Sequence, residues 1–233
     1  MASRNKLQKF AEILSFSNVY ENYDPKNPEL VGINHESVDL KGKWNGGHFE
    51  VEHPITLELA CGRGEYCIGL GEMYPSRNFI GVDVKGARIW KGAKQALENK
   101  MQNVAFLRTR IEQIDLFFGE NEVDEIWITF PDPFLKDSKE NRRLTSPNFL
   151  KRYKEILRPD GFINLKTDSP ELYNYTKEVL ANSEELETIY DSGDIYSSEL
   201  DFKELEIKTY YERSHLKDGR LIKFIRFKFR DGA

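Results

Sequence analysis

The sequence predicts an α/β fold: a mostly parallel sheet with helices on both faces and an antiparallel strand at its C-terminal end. Three observations carry this. Short apolar stretches alternate with helix-like segments from Ile55 onward, a glycine turn follows the first of those stretches, and the last apolar segment has no helix behind it. The apolar stretches at 55–60, 78–82, 104–107, 123–130 and 161–166 have the length of buried strands. Helix-like segments near 65–74, 86–100, 111–117, 147–157 and 170–182 separate them. Strand–helix alternation makes a parallel sheet, because each helix returns the chain across a face to start the next strand in the same direction. Segment 221–230 alternates imperfectly and reads as the final, antiparallel strand. Residues 1 to about 50 are a preface, with a short amphipathic segment (Leu7, Phe10, Ala11, Leu14) and then turn-rich sequence including Asp24-Pro25 and Asn45-Gly46-Gly47. With no repeat, low-complexity tract or linker, residues 1–233 read as a single domain whose N-terminal extension is open to motion.

Composition narrows the class. Charged residues at 31% and hydrophobic ones at 39% fit a globular protein. No apolar run reaches the roughly 20 residues of a membrane span, and no apolar segment follows the basic N-terminus as a secretory signal requires. Cys61 and Cys67 flank a glycine turn without the partners of a zinc site, and the four histidines are scattered, so no metal is expected. A reduced, cytoplasmic setting is the simplest reading. The formal net charge of −5 conceals a basic stretch at 136–158, where eight cations face three acids. Arg4, Lys6 and Lys9 add to it, while acid concentrates between Glu184 and Glu206. A stretch of this kind matches an anionic partner through its distribution, whatever the sum.

The turn after the first strand reads Leu57-Glu58-Leu59-Ala60-Cys61-Gly62-Arg63-Gly64. Gly62 and Gly64 let the backbone turn tightly and approach a ligand. The next strand ends at Asp83, where a carboxylate can accept hydrogen bonds from both hydroxyls of an adenosine ribose. A dinucleotide fingerprint would need a third glycine where Cys67 stands, and Glu58 and Glu65 would oppose a pyrophosphate. A carboxylate at the end of the first strand, Glu58, suits the cationic sulfonium and ammonium of S-adenosylmethionine, which is therefore favoured over NAD. The segment resembles motif I of class I methyltransferases, E/D-x-G-x-G-x-G, with Ala60 in place of the first glycine.

The fourth strand runs into Phe130-Pro131-Asp132-Pro133-Phe134-Leu135-Lys136. Proline on each side stiffens the loop and fixes a carboxylate beyond a strand end, beside the expected methyl donor. Arg142-Arg143-Leu144 and Phe149-Leu150-Lys151-Arg152-Tyr153 follow; the fifth strand ends Leu165-Lys166-Thr167-Asp168, and Thr209-Tyr210-Tyr211-Glu212 lies near the C-terminus. In this order the motifs resemble the bacterial tRNA (guanine-N7)-methyltransferases of the TrmB type, whose usual D-P-W-P-K, R-R-L, F-L-x-x-Y, F-K-T-D and T-x-Y-E they parallel. Phe134-Leu135 stands for the usual W-P.

The resemblance implies a class I (Rossmann-like) methyltransferase fold with seven strands. It implies methyl transfer from S-adenosylmethionine, leaving S-adenosylhomocysteine, to guanine N7 in tRNA at position 46 of the variable loop. Glu58, Gly62, Gly64, Asp83 and Asp132 would contact the cofactor. Arg110 stands where the family often has an aspartate near the adenine. Asp132 would be the catalytic residue, with Lys136, Asp168, Thr209, Tyr210, Tyr211 and Glu212 lining the guanosine site. Arg142, Arg143, Lys151 and Arg152 are the candidates for tRNA phosphates, joined by the N-terminal extension. No protein partner is required, and monomer and homodimer are both compatible. Two rivals remain: a class I methyltransferase of a small molecule or protein, and a non-enzymatic RNA-binding module.

Overall fold

The computed structural model describes residues 6–230 and Gly232; Arg4, counted above among the N-terminal cations, lies outside them. The chain divides into two compact units, Met1–Gly119 and Glu120–Ala233.

The first unit holds α1 (Lys6–Ile13), β1 (Val19–Glu21), the single distorted turn α2 (Trp44–Gly47), β2 (Ile55–Leu59), α3 (Glu65–Met73), β3 (Asn78–Asp83), α4 (Gly86–Glu98) and β4 (Val104–Arg108). Its strands lie in the order β1-β4-β3-β2 and all run parallel. Leu57, Leu59, Ile80, Val82, Ala105, Phe106 and Leu107 are fully buried. That is why these strands read as continuous apolar runs and not as alternating ones. Ile89, Ala93 and Ala96, spaced to share one helix face, bury α4. Trp44 anchors the preface: its indole donates to Phe117 O at 2.9 Å and its ring stacks on Phe118.

Two features of this unit depart from expectation. Val19–Glu21 of the preface forms a strand beside β4, too short to show a period, with the Glu21 carboxylate held by Arg108 at 2.7 Å. The segment expected as a helix at 111–117 is a 3-10 helix, Ile111–Leu116, interrupted at Gln113. The Gln113 side chain donates to Pro25 O at 2.8 Å and accepts from Asn22, ties that compete with regular helix geometry.

The second unit holds β5 (Val123–Thr129), α5 (Pro147–Ile156), β6 (Leu157–Thr167), α6 (Pro170–Ala181), β7 (Leu186–Ser192), α7 (Tyr210–Lys217) and β8 (Lys223–Phe229). Strand order is β5-β6-β8-β7; β5 and β6 are parallel, whereas β8 runs antiparallel to both β6 and β7. The antiparallel final strand is therefore as expected. Ser169 caps α6 by accepting from the Leu172 amide at 3.1 Å, and Pro170 follows as the first helical residue, where a missing N–H costs nothing. Strand β7 and helix α7 are not marked by the apolar pattern of the sequence. β7 is an edge strand with only Leu186 buried, so its apolar alternation is faint. Eight strands are thus described, the seven implied ones (β2 to β8) and the additional β1.

Candidate active site

The glycine turn closes the carboxyl end of β2 onto the start of α3. Ala60, Gly62 and Gly64 have φ of 57°, 56° and 67°, all left-handed. Two of the three are the residue type that adopts this region freely; Ala60 is not, and its presence stores strain at the position where the related motif has glycine. Gly64 is constrained twice. A Cβ there would lie 2.5 Å from Phe106, whose fully buried ring also sits 2.8 Å from where a Cβ would stand on Gly81 and on Gly92. Three glycines from the loop, β3 and α4 therefore enclose one aromatic ring, which sets the height of the loop above the sheet.

Two carboxylates serve this loop. Asp83, 7% exposed at the end of β3, accepts from the Gly62 amide at 2.9 Å and from the Lys85 amide at 2.8 Å. Glu58, 2% exposed, accepts from the Cys67 amide at 2.8 Å, and so caps the first turn of α3. Burial, and then the charges of Glu58 and Asp83, push the Cys61 thiol well above its ordinary range; burial and Glu58 do the same to Cys67. Both cysteines are free neutral thiols in a negative field. Such a field favours a cationic ligand and disfavours a pyrophosphate, so the residues fit S-adenosylmethionine. Arg110 is exposed and precedes the 3-10 helix, its carbonyl accepting from the Gln113 amide.

In the second unit, Phe130 and Phe134 bracket the acceptor loop with φ of 49° and 43°. The Phe130 amide donates to Lys166 O at 2.8 Å, and Asp132 Oδ1 accepts from the Phe134 amide at 3.0 Å, leaving an exposed carboxylate at the loop tip. Asp168, just beyond β6, receives Arg220 at 2.7 Å. His215 Nδ1 lies 3.2 Å from the same oxygen but off hydrogen-bonding geometry, and it has no such partner among the described residues. The imidazole faces Phe130 edge-on at 5.8 Å and lies 6.4 Å from the Tyr211 ring. Tyr210 and Tyr211 are exposed on the first turn of α7. Phe130, Asp168, Tyr211, His215 and Arg220 thus form one cluster. His215 was passed over in the sequence as a scattered histidine; its spacing of four from Tyr211 on one helix was the available signal.

Two expectations are corrected. Glu212, expected to line the guanosine site, is fully buried. It pairs with Lys166, also fully buried, at 2.8 Å, and accepts from the Tyr196 hydroxyl at 2.6 Å. Lys166 Nζ donates in addition to Leu205 O and Ile207 O, each at 3.1 Å. Burial lowers the Lys166 pKa, and the Glu212 carboxylate opposes that shift. Thr209 is the N-cap of α7 and accepts from the Glu212 amide at 3.1 Å. The four-residue motif 209–212 is therefore a helix start nailed down by a buried ion pair, with the two tyrosines outside. Arg143, expected to meet phosphate, is 6% exposed. Its guanidinium donates to Pro133 O and Phe134 O, and lies 4.3 Å over the Tyr175 ring. It braces the acceptor loop. Lys136, Arg142 and Lys151 are exposed and Arg152 half-buried, with Arg142 lying 4.7 Å over Phe134.

The chain is similar to known proteins in sequence and in fold. A family of putative methyltransferases matches residues 52–225. A tRNA (guanine-N(7)-)-methyltransferase of Christiangramia forsetii is 48% identical over 99% of this chain and 100% of its own. One of Bacteroides thetaiotaomicron is 47% identical over 97% and 86%. Among solved structures, the 16S rRNA methyltransferase KamB covers 84% of this chain and 96% of its own with a TM-score of 0.61 at 15% identity, a likeness of fold. A SAM-dependent methyltransferase from Aquifex aeolicus covers 76% and 81% with a TM-score of 0.53 at 13% identity. With its motifs in this order and near-full-length relatives at nearly half identity, the chain belongs to the tRNA (guanine-N(7)-)-methyltransferase family.

Proposed function

We propose that this chain transfers the methyl group of S-adenosylmethionine to N7 of guanine in tRNA, at position 46. The observation that carries the N7 reading is the 48% identity, over essentially the whole of both chains, to a protein named tRNA (guanine-N(7)-)-methyltransferase; position 46 is what the motif resemblance implies. Asp83 would accept from the ribose hydroxyls, and the Glu58 and Asp83 charges suit the cationic end of the donor. When bound, the donor supplies an electrophilic methyl carbon.

Guanine N7 carries an exposed lone pair and no proton, so the residues have no base catalysis to perform. Their task is to hold the ring in line and to offset the positive charge it acquires. Asp132, exposed at the tip of a braced loop, and Asp168 are the carboxylates for this. Either can accept from guanine N1–H and N2–H₂. Lys136, Tyr210 and Tyr211 supply the surrounding wall. Arg142, Lys151 and Arg152 supply phosphate contacts, which add affinity without sequence information.

The test is nucleoside analysis of bulk tRNA after incubation with labelled methyl donor. Label is expected in 7-methylguanosine, and label in any other nucleoside overturns the substrate assignment. A transcript with adenine at position 46 is expected to take up none; continued uptake would move the site elsewhere in the tRNA.

A further inference from the structure

The first unit carries a basic surface that the roles above leave unused. Residues 84–97 hold four cations (Lys85, Arg88, Lys91 and Lys94) and no carboxylate, in a chain whose net charge is −5. Lys85, Arg88 and Lys91 recur every three residues, so they fall along one side of α4, and all three are exposed. Lys85 and Arg88 have no ion-pair partner among the described residues, and Lys91 reaches Glu65 only at 3.7 Å. Lys94, by contrast, is shared between Glu12 and Glu98 at 4.0 and 3.6 Å, and stands apart from the stripe. Helix α1 packs beside α4 and brings Lys9, whose ammonium sits 4.9 Å over the Trp90 ring on the neighbouring edge.

The position of the stripe gives it a use. It begins at Lys85, whose backbone amide holds the Asp83 carboxylate, and continues along α4 to Lys91, 3.7 Å from Glu65 at the start of α3. From Lys85 to Lys91 the rise is about 9 Å, enough to meet more than one phosphate of a nucleic-acid strand. Three cations in line on an otherwise acidic protein match a polyanion with regularly spaced charge. A small anion would need convergent donors, which a straight helix side does not present.

We infer that the Lys85–Arg88–Lys91 face of α4 is a second docking surface for the sugar–phosphate backbone of tRNA, separate in sequence from the cations at 136–158. It rests on the tRNA reading above and extends it: the unit that carries the glycine turn has a phosphate-binding surface of its own.

The test is the full chain with Lys85→Gln, Arg88→Gln and Lys91→Gln combined. The control is Lys26→Gln, Lys43→Gln and Lys100→Gln, which removes equal charge from exposed positions elsewhere in the same unit. Affinity for unmodified tRNA is measured across a potassium chloride series, and affinity for S-adenosylhomocysteine by calorimetry. The stripe variant is expected to lose about tenfold or more in tRNA affinity at low salt. Its slope of log affinity against log salt should become shallower by roughly 3, close to one unit for each phosphate no longer neutralised. Its affinity for S-adenosylhomocysteine should stay within twofold, and the control should match wild type in both. An unchanged salt slope overturns the inference. So does an equal loss in the control, which would make the effect one of net charge. A loss of S-adenosylhomocysteine binding in parallel with tRNA also overturns it, by locating the damage in the glycine turn. Failure of the wild-type chain to bind or methylate tRNA at all is a separate result and counts against the proposed function itself.

Discussion

The Gly62 amide donates to Oδ2 of Asp83 at 2.9 Å, so the glycine turn is closed onto the same carboxylate that is assigned to the donor's ribose. The Lys85 amide occupies the other oxygen at 2.8 Å, which fixes the plane of the carboxylate while each oxygen keeps accepting capacity. Orientation is thus established by the chain before any ligand arrives. Asp83→Ala removes the ribose acceptors and the tie to the turn together. With hydrogen bonds to a charged group worth about 1.5 kcal/mol each, donor affinity should fall roughly a hundredfold. Asp83→Asn should fall between, since it keeps one acceptor oxygen. Calorimetric titration with S-adenosylhomocysteine measures both, and an Asp83→Ala affinity within threefold of wild type would remove the ribose role.

The strain at Ala60 can be relieved. Its φ of 57° costs an alanine about 1–2 kcal/mol, and glycine recovers that while losing roughly 0.5–1 kcal/mol to unfolded-state entropy. Ala60→Gly should therefore stabilise the protein by about 0.5–1 kcal/mol in urea unfolding. Gly64→Ala should do the reverse and more, since its φ of 67° is joined by the Phe106 ring at 2.5 Å from the new methyl. Phe106→Leu in the Gly64→Ala background should restore part of the loss, because it removes the atoms in conflict. Simple additivity of the two substitutions would place the cost of Gly64→Ala in backbone angle alone.

How far the sequence could be read depended on whether the signal was local. The parallel strands β2 to β6 were legible as uninterrupted apolar runs, and the Gly62, Gly64 and Asp83 constellation from residue type and order. β1 was hidden because Val19-Tyr20-Glu21 has no periodicity of its own; its pairing with β4 is a tertiary event. The charge on Glu212 and Arg143 was visible, but its direction was not. Both were read as offered to RNA, whereas one is consumed by Lys166 and the other by two backbone carbonyls. Lys166 had a signal, a cation following Phe162-Ile163-Asn164-Leu165 in a segment read as a buried strand, where such a residue needs a buried partner.

Burial of Arg143 separates two neighbours that look equivalent in the sequence. Arg142→Ala should weaken tRNA binding several-fold and make its salt slope shallower by roughly 1, as expected when one fewer phosphate is neutralised. Arg143→Ala should leave the salt slope unchanged. It should instead lower kcat by about tenfold or more, by freeing the loop that carries Asp132. Measuring KM and kcat for both variants at two salt concentrations checks the division; the same slope change in both would return Arg143 to the RNA surface.

Burial holds the His48 pKa down at about 4, where the imidazole shares a 2.8 Å hydrogen bond with the Tyr20 hydroxyl and packs edge-on against Phe49. An unfolded histidine titrates near 6.5, so between these values the unfolded chain binds the extra proton and the folded one does not. The contribution is therefore fully present above about pH 6.5 and is lost progressively as pH falls toward 4, reaching about 3 kcal/mol. In urea unfolding at pH 7 and pH 4.5, His48→Gln should be less stable than wild type at pH 7 yet lose less on acidification. Equal losses in both proteins would assign the acid sensitivity to the carboxylates alone.

Lys166 connects the two halves of the acceptor cluster. Its carbonyl accepts from Phe130 at the start of the Asp132 loop, and its ammonium binds Glu212 together with two carbonyls ahead of α7. Removing one partner of a buried pair strands the other charge, so Lys166→Met or Glu212→Leu should each cost about 3–5 kcal/mol. Lys166→Met with Glu212→Leu strands no charge, though it leaves the Leu205 and Ile207 carbonyls and the Tyr196 hydroxyl unsatisfied. The double variant should therefore be destabilised by less than the sum of the singles, with a coupling of roughly 2 kcal/mol or more in urea unfolding. Tyr196→Phe isolates the functional part, since it deletes one hydroxyl at 2.6 Å from Glu212 and leaves the ion pair intact. It should cost only about 1 kcal/mol in stability. If the pair positions Tyr210 and Tyr211 for RNA, Tyr196→Phe raises KM for tRNA while affinity for S-adenosylhomocysteine is unchanged. A KM equal to wild type would leave the pair with a purely structural role.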